Sequence, residues 1–372
     1  MKAAVMHRPH EPLVIEDLDL AAPRAGEVRV RIEAAGVCHS DLHYWMGDLD
    51  ARLPLVPGHE GCGIVTEVGE GVTSVAAGDK VVMLWRPRCG QCEYCLSGQP
   101  ALCDKGAVHG TTNELMGGGT RLSLSEAPRY HLMGISCFAQ ESVVPQESVV
   151  RVPHEVPSEI AAITGCAVIT GMGVVLNRLP DVTGKSVLII GAGGVGLSAV
   201  LGAQLVGAQR IIVSDVVPAR LNKALELGAT DVINAVTQDV VAEVQRLTGT
   251  GAHYAIEAIG RPGTISQAIF SLRKGGKAVI AGLGAVGDTA ELPINHLVQN
   301  GKSIDGSLYG SSNTPLQIPE VLDLYLAGRL PLNQLIDQRF SLEDVNEALH
   351  TLTEGAIGRP VIIPNSPASL PV

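Results

Sequence analysis

Four cysteines lie close together in the segment RCGQCEYCLSGQPALC. Cys89, Cys92, Cys95 and Cys103 have the spacing C-x2-C-x2-C-x7-C. Four thiolates can bind one zinc ion tetrahedrally, and such a site is usually structural because it leaves no position for a substrate. An iron–sulfur cluster and a redox-active thiol cluster are alternatives, but the spacing does not match the common ferredoxin runs. The segment therefore predicts a zinc ion that supports the fold.

A second set of metal-binding residue types is scattered along the chain. Cys38 lies in GVCHSDLH, His59 in PGHEG and Cys166 in TGCAVITG. One histidine and two cysteines would give zinc three protein ligands and leave its fourth position open, which is the composition of a catalytic site. Spacing alone makes two further thiols equally plausible, although burial as small apolar side chains is the better interpretation for Cys62 and Cys137.

The hexad GAGGVG follows the apolar run SVLII and precedes a helical pattern. Gly191, Gly193 and Gly196 fit G-x-G-x-x-G, with Gly194 and Val195 completing it. In a strand–turn–helix context the first glycine permits the tight turn, and the second lets the backbone approach a pyrophosphate. The third allows close helix–strand packing, and the helix N-terminus then faces the phosphates. The hexad therefore predicts a dinucleotide site.

The next strand, RIIVS, is followed by Asp215. A carboxylate at this place can accept hydrogen bonds from the adenosine ribose hydroxyls and repels a 2′-phosphate, which favours NAD over NADP. Arg220 lies close by in sequence and could weaken that preference, or it could be a solvated helix charge.

The elements that must position these residues change character near residue 159. Before it, short strands and loops alternate with Gly/Pro punctuation, and the polar, Gly-rich stretch 110–130 is predicted to be a long surface loop. After it, six apolar runs alternate with helical patterns, which predicts a doubly wound parallel sheet. The runs are 186–190, 210–214, 231–233, 253–257, 277–282 and 302–308. Further helices follow residue 310, one of them with a predicted capping box at Ser341 and Asp344.

Bulk properties exclude several classes of protein. The net charge is -11 over 372 residues, so no basic surface for nucleic acid or anionic lipid is expected. The uncharged stretch 186–208 is about long enough to span a bilayer, but it divides into a strand, a glycine turn and a helix. The N-terminus has no apolar run typical of a signal peptide. These features predict a cytoplasmic protein, with no membrane partner, whose cysteines bind metal rather than form disulfides.

Taken together and in this order, the motifs resemble the zinc-dependent alcohol dehydrogenases of the medium-chain dehydrogenase/reductase superfamily. The similarity includes GVCHSDLH, PGHEGCGIVTEVGEGV, the four-cysteine loop, TGCAVITG and GAGGVGL, and it extends over residues 2–363. The long segment 104–137 is similar to the liver-type and formaldehyde-dehydrogenase branches.

This resemblance implies a fold and a domain division. A GroES-like, mostly β catalytic domain would comprise residues 1–158 and be completed by 311–372. A Rossmann NAD-binding domain with a six-stranded parallel sheet would comprise 159–310. The resemblance also implies two zinc ions per chain, one catalytic and one structural, and a homodimer, with a tetramer as the alternative.

The same resemblance assigns roles around the catalytic zinc, which Cys38, His59 and Cys166 would bind. Ser40 would begin a proton relay that reaches solvent at His43, while the alcohol reacts as a zinc-bound alkoxide that passes a hydride to NAD. In the family the residue equivalent to Asp41 orients the zinc-binding histidine, and the residue equivalent to Glu60 lies behind the metal.

Cofactor and substrate contacts are implied in the same way. The contacts with NAD would be made by the hexad, including Val195, and also by His39, Thr170, Asp215, Arg220 and Arg359. An apolar pocket for a hydrophobic primary or secondary alcohol or aldehyde would be lined by Leu49, Trp85, Val108, Leu132, Met133, Leu283 and Leu308.

Two other functions compete with this interpretation. A thiol-dependent formaldehyde dehydrogenase is the nearer one, but those enzymes carry an Asp and an Arg where this chain has Leu49 and Ala107. A non-catalytic zinc protein that keeps a relic cofactor fold is the more distant one. The acidic net charge opposes that second alternative, as does the joint presence of Cys38, His59 and Cys166 with the relay residues.

Overall fold

A computed structural model of the chain describes residues 1–107 and 112–366. The chain divides into two compact units, the first formed by Met1–Cys166 and the chain from Asn313 onward, the second by 167–312. The sequence placed these boundaries at 158/159 and 310/311. The first boundary lies later because residues 159–166 continue a helix from Ser158 that packs on strands of the first unit.

The strands of the described residues are, in chain order, β1 (Lys2–Val5), β2 (Val14–Asp17), β3 (Asp19–Leu20), β4 (Glu27–Gly36), β5 (Leu55–Val56), β6 (Glu60–Val68), β7 (Lys80–Met83), β8 (Leu122–Leu124), β9 (Ala127–His131), β10 (Glu141–Pro145), β11 (Val149–Arg151), β12 (Ser186–Ile190), β13 (Arg210–Asp215), β14 (Asp231–Asn234), β15 (Ala252–Glu257), β16 (Leu272–Ile280), β17 (Ser303–Gly306), β18 (Ile336–Ser341) and β19 (Arg359–Ile363). The α-helices are α1 (His39–Trp45), α2 (Glu93–Leu96), α3 (Ser158–Ile163), α4 (Ile169–Gly173), α5 (Gly194–Leu205), α6 (Pro218–Glu226), α7 (Val240–Thr248), α8 (Pro262–Phe270), α9 (Ile294–Asn300), α10 (Thr314–Leu326) and α11 (Val345–Thr353). Wider π-helical turns flank α4 at Thr164–Val168 and Val174–Arg178.

The main sheet of the first unit has the order β11-β7-β6-β4-β19-β18, with β10 also paired to β4. Strand β4 is central because Val28, Val30 and Ile32 alternate onto one fully buried face. Strands β18 and β19 come from the chain after the second unit, and β19 pairs antiparallel with β4. The first unit is therefore completed by the C-terminal part of the chain.

Residues 110 and 111 of the polar stretch 110–130 lie outside the described residues, and residues 112–130 do not form the surface loop that the composition predicted. They contribute β8 and begin β9, which form an antiparallel hairpin that β3 and β5 extend to four strands. The Arg121 guanidinium donates to both carboxylate oxygens of the buried Glu27, at 2.9 and 2.5 Å, and Leu122 is 1% exposed. Composition missed this hairpin because ion pairs with distant residues anchor it, Arg121 with Glu27 and Arg129 with Glu16.

The second unit is built on a six-stranded sheet of order β14-β13-β12-β15-β16-β17, parallel throughout. All five residues of β12 are buried, because helices cover both faces of such a sheet. This is the order of a Rossmann sheet, and the predicted fold class is confirmed. The six predicted runs correspond to these six strands, with ends that differ by a few residues.

The predicted capping box before α11 is wrong. Ser341 is the last residue of β18, and its hydroxyl donates to Asp344 Oδ2 at 2.5 Å instead of capping a helix. The helix begins only at Val345, and the side chain of its N-cap residue, Asp344, makes no capping hydrogen bond to the described backbone of the helix. The strand takes Ser341 because β18 pairs with β19 up to that residue.

One helical segment, Ser158–Arg178, is long and apolar enough to cross a membrane by length and composition. Within its most apolar window, 89% is buried inside the protein, as in a core helix. The stretch 186–208, which also has the length of a membrane span, forms β12, a turn and α5, as the sequence predicted.

Candidate metal centres and cofactor site

Asp41 holds together the two segments that carry the scattered metal-binding residues. It lies in the first turn of α1, just after the N-cap residue Cys38. Its carboxylate accepts hydrogen bonds from the backbone N–H of Cys38 at 3.0 Å and of Gly58 at 3.1 Å. An acidic residue at a helix N-terminus is favourable in itself, because it pairs with unsatisfied backbone donors. Here it also fixes the strand that begins after Gly58.

His59 is oriented by the same carboxylate. Its Nδ1 lies 3.1 Å from Asp41 Oδ1, and both side chains are 1% exposed. Burial lowers the pKa of His59, but Asp41 and Cys38 together raise it well above its usual value. Among the described residues, Nε2 has no hydrogen-bond partner of ordinary geometry although it is buried. A buried, unsatisfied imidazole nitrogen of this kind is suited to a metal ion.

Cys38, His59, Glu60 and Cys166 bring one ligand atom each to within 4.8 Å of one another, and all four are buried. A hydrogen bond from Cys166 holds the pKa of Cys38 well below its usual value, with Arg359 and His59 adding to the effect. The same bond and burial raise the pKa of Cys166. Two thiols and one free imidazole nitrogen form a donor set that fits zinc, so the residues present fit the metal that the sequence implied.

Glu60, one of these four residues, pairs with Arg359. The carboxylate oxygen Oε1 lies 3.3 Å from Arg359 Nη2, and the side chains are 0% and 5% exposed. Burial raises the pKa of Glu60 to about 8, against the opposing effect of the guanidinium. Arg359 also donates to the Val37 carbonyl at 3.1 Å. The resemblance implied that Arg359 contacts NAD; its guanidinium lies against Glu60 in the structure, and the contact with NAD stays a prediction.

The proposed relay residues lie on α1. Ser40 Oγ is 3.8 Å from Cys38 Sγ, and His43 Nδ1 is 2.8 Å from Asp48 Oδ2. His39 is the exposed first residue of the helix. Sequence reasoning missed Asp48. The signal that could have found it is the glycine just before it, which marks the end of a helix and the return of the chain.

The four-cysteine cluster is a different kind of site. Its four Sγ atoms also lie within 4.8 Å of one another, but only Cys103 is buried. The Cys103 thiol accepts the Cys89 backbone N–H at 3.3 Å. Backbone N–H groups of Cys95 and Asp104 lower the pKa of the Cys92 thiol to about 6. Backbone donors therefore favour the thiolate form at Cys92, whereas burial raises the pKa of the neighbouring Cys95 thiol to about 12.

The glycine hexad has the geometry that its spacing predicted. Gly191 has φ +97°, a left-handed conformation that suits glycine. A Cβ on Gly196 would overlap the Gly191 carbonyl oxygen, so the helix can approach the turn only without a side chain. A Cβ on Gly193 would meet nothing within 4 Å among the described residues, which leaves open space beside the N-terminus of α5. That space fits a phosphate group.

Asp215 ends β13 beside this turn. Its carboxylate accepts the backbone N–H of Ala192 at 2.7 Å and of Val217 at 2.9 Å. The carboxylate is therefore fixed at the edge of the glycine turn and keeps further acceptor capacity. Val195 and Arg220 are half-buried in the same unit, and Thr170 is 8% exposed on α4.

The residues predicted to line a substrate pocket are distributed over both units. Leu49, Trp85 and Met133 are partly buried against the core of the first unit, and the Trp85 ring meets His59 edge-on at 6.4 Å between centroids. In the second unit, two further residues predicted to line the pocket are exposed, Leu283 at 51% and Leu308 at 38%.

Two of the pocket predictions need separate comment. Val108 lies outside the described residues. Leu132 is a correction, because it is 0% exposed and packs inside the first unit's core, so it offers no surface to a substrate. The residue after it, Met133, takes a left-handed conformation that reverses the chain there.

Comparison with known proteins identifies the family. Residues 24–154 match the alcohol dehydrogenase GroES-like domain, and residues 194–327 match the zinc-binding dehydrogenase domain. A putative alcohol dehydrogenase D of Mycobacterium tuberculosis is 39% identical over 369 residues, covering 97% of this chain and 99% of that protein. A probable S-(hydroxymethyl)glutathione dehydrogenase 1 of Schizosaccharomyces pombe is 36% identical, covering 98% of this chain and 97% of that protein.

A solved structure agrees with the sequence relatives. The crystal structure of benzyl alcohol dehydrogenase from Acinetobacter calcoaceticus superimposes with a TM-score of 0.92 at 34% identity, covering 97% of this chain and 98% of that one. The identities extend over both units and the segment that completes the first. The chain belongs to the zinc-dependent alcohol dehydrogenases of the medium-chain dehydrogenase/reductase superfamily.

Proposed function

We propose that this protein transfers a hydride between a hydrophobic primary or secondary alcohol and NAD, at a zinc ion bound by Cys38, His59 and Cys166. The observation that carries the proposal is His59 Nε2, which is buried, unsatisfied among the described residues and close to two buried thiols. Three protein ligands leave a position for substrate oxygen, as in catalytic zinc sites.

The protein's own residues would divide the work around that ion. When bound, zinc would supply a Lewis acid that lowers the pKa of the alcohol hydroxyl, and NAD would supply the hydride acceptor. Asp41 holds the imidazole so that Nε2 faces the two thiols. Ser40 Oγ accepts the hydroxyl proton in the first transfer of the relay, and His43 releases it to water, since imidazole exchanges protons readily near neutral pH.

NAD specificity is part of this proposal. Asp215 is held by two backbone N–H groups at the glycine turn, where a carboxylate repels the 2′-phosphate of NADP. The open space beside Gly193 supports a pyrophosphate at the N-terminus of α5. A second, structural zinc at the four-cysteine cluster completes the proposed cofactor set.

The substrate class is proposed from apolar side chains and from one relative. Trp85 lies edge-on against His59, and the remaining predicted lining residues are apolar. Apolar walls with few polar groups suit hydrophobic ligands. The structural relative named benzyl alcohol dehydrogenase supports including aromatic alcohols in the substrate range.

The test is NAD reduction with a panel of aliphatic, aromatic and terpenoid alcohols, with zinc determined in each preparation. We expect turnover with at least one apolar alcohol, and a loss of at least about a thousandfold in kcat for His59→Ala. The matched control is His154→Ala, which changes an exposed histidine and should keep wild-type turnover. Turnover by His59→Ala at the wild-type rate would contradict the proposal.

A thiol-dependent aldehyde-adduct dehydrogenase is the second candidate, because the Schizosaccharomyces pombe relative is 36% identical. Against it, Leu49 stands where such enzymes carry an Asp, and it packs against the apolar core. Assays of formaldehyde with and without glutathione separate the two candidates. Oxidation that strictly requires the thiol, with no turnover of simple alcohols, would favour the second one.

A further inference from the structure

The end of helix α1 is built so that Asp48 returns over His43. Gly47 has φ +75°, and its N–H donates to the Tyr44 carbonyl at 3.2 Å. The N–H of Asp48 donates to the His43 carbonyl at 2.9 Å. These two bonds form a Schellman closure, which needs a left-handed residue at the position of Gly47. The closure brings residue 48 back to the turn that carries residue 43.

The side chains of the two residues then meet. Asp48 Oδ2 lies 2.8 Å from His43 Nδ1, with side-chain exposures of 34% and 29%. An ionised carboxylate can only accept a hydrogen bond, so Nδ1 must carry the proton. The neutral ring therefore keeps its lone pair on Nε2, and the direction of the ring is set by the bond to Asp48.

We propose that Asp48 is a positioning residue for proton transfer, which fixes the tautomer and orientation of His43 so that Nε2 can accept a proton. This inference rests on the proposed function, in which His43 passes the alcohol proton to water. In the step, the N–H bond forms at Nε2 as the donor's O–H bond breaks. The same Nε2 proton is then released to water, which restores the neutral ring.

A purely structural role explains this pair less well. The turn is already closed by two backbone hydrogen bonds that do not involve the carboxylate. An ion pair between two partly exposed side chains contributes little to stability. The carboxylate is therefore available to fix the tautomer and orientation of the His43 ring. In the opposite tautomer, Nε2 would carry the proton and could only donate.

The first experiment measures the tautomer directly, by ¹⁵N correlation spectra of the histidine rings in the zinc-loaded protein, with His43→Ala to assign the signal. We expect the Nδ1-protonated neutral form of His43 in the wild type and in Asp48→Asn, whose amide oxygen also accepts from Nδ1. In Asp48→Ala we expect a shift toward the Nε2-protonated form. An Nε2-protonated ring in the wild type would overturn the inference.

The second experiment is kinetic and uses a double-mutant cycle. We expect kcat of Asp48→Ala to fall about fivefold to tenfold, with Asp48→Asn within about twofold of wild type. The double variant Asp48→Ala/His43→Ala should be no slower than His43→Ala. The control is Asp50→Asn, which changes an exposed acid in the same loop and should behave as wild type.

The outcomes separate this inference from the proposed function. If His43→Ala is slow but Asp48→Ala is as fast as wild type, the inference fails and the relay stands. If the two losses add in full in the double variant, Asp48 acts independently of His43 and the inference also fails. If His43→Ala itself turns over normally, the relay in the proposed function fails, and the inference fails with it.

Discussion

The two cysteine-containing centres of the first unit, for which we propose one zinc ion each, differ in burial and in the groups around the thiols. At the four-cysteine cluster, three of the four thiols are half-exposed and backbone N–H groups surround them. At the other centre, Cys38, His59 and Cys166 are at most 7% exposed, and a carboxylate holds the imidazole. In the proposed assignment, four thiolates would saturate a zinc ion at the first centre, whereas three protein ligands would leave one position open at the second.

The difference follows from where the residues come from in the chain. The four-cysteine cluster is made by one short segment that folds on itself, so a metal ion bound there would stabilise only that segment and what it contacts. The other centre joins the start of α1, the start of β6 and the turn after α3. Residues brought together by the whole fold can be placed for chemistry, because their positions are supported independently of the metal.

The largest effect is expected when the four-cysteine cluster loses one thiolate. Structural zinc contributes about 10–16 kcal/mol in small zinc domains, so Cys95→Ser should lower the free energy of unfolding by on the order of 5 kcal/mol. Thermal unfolding with zinc analysis measures this. Protein that remains folded should still turn over, because the catalytic ligands are untouched. A stable variant with no turnover would show that the cluster takes part in the chemistry.

A smaller effect is expected from removing the Asp41 carboxylate, which holds the histidine at the centre of Cys38, His59 and Cys166. Asp41→Ala removes the acceptor for His59 Nδ1, and we expect zinc affinity at this centre to fall about 10- to 100-fold. The matched control is Asp104→Ala beside the four-cysteine cluster, because Asp104 acts on Cys92 through its backbone N–H, which the substitution keeps. Competition with a chelator of known affinity measures both. Equal losses in the two variants would remove the distinction between the centres.

The smallest effect is expected from replacing Trp85, the aromatic residue beside His59. Trp85→Ala removes the ring that lies edge-on against His59, a contact worth about 0.5–1.5 kcal/mol, so kcat/KM for apolar alcohols should fall roughly two- to tenfold. Tyr94, in the four-cysteine segment, is 38% exposed, and Tyr94→Ala should leave kcat/KM unchanged. Steady-state kinetics on both variants decide the point. A larger loss for Tyr94→Ala would contradict the division of roles.

The sequence predicted most of what depends on local chemistry. The glycine hexad carries its geometry in its own residues, so Gly191, Gly193 and Gly196 have the turn, the open space and the close packing that their spacing indicated. The six strands were predictable because buried parallel strands are continuous apolar runs. The structure also brings together the Cys38, His59 and Cys166 thiols and imidazole that spacing alone could not join.

What the sequence could not give depends on partners far away in the chain. The hairpin around Leu122 was missed because its anchor, the pair of Arg121 with Glu27, joins residues 94 positions apart. The placement of Arg359 against Glu60 and the complete burial of Leu132 are likewise properties of the assembled first unit. Asp48 was missed because its hydrogen bond to His43 depends on the direction of a side chain just after the end of a helix.

The most direct test of the account is the zinc content and turnover of Cys166→Ala, measured on the same preparation. We expect wild-type protein to hold two zinc ions per chain, and the variant to hold one, to melt close to wild type and to have no measurable turnover. Cys62→Ala, which changes a buried cysteine outside both centres, should keep both ions and the activity. A Cys166→Ala variant that retains two zinc ions, or that turns over at the wild-type rate, would contradict the assignment of Cys38, His59 and Cys166 to a catalytic zinc ion.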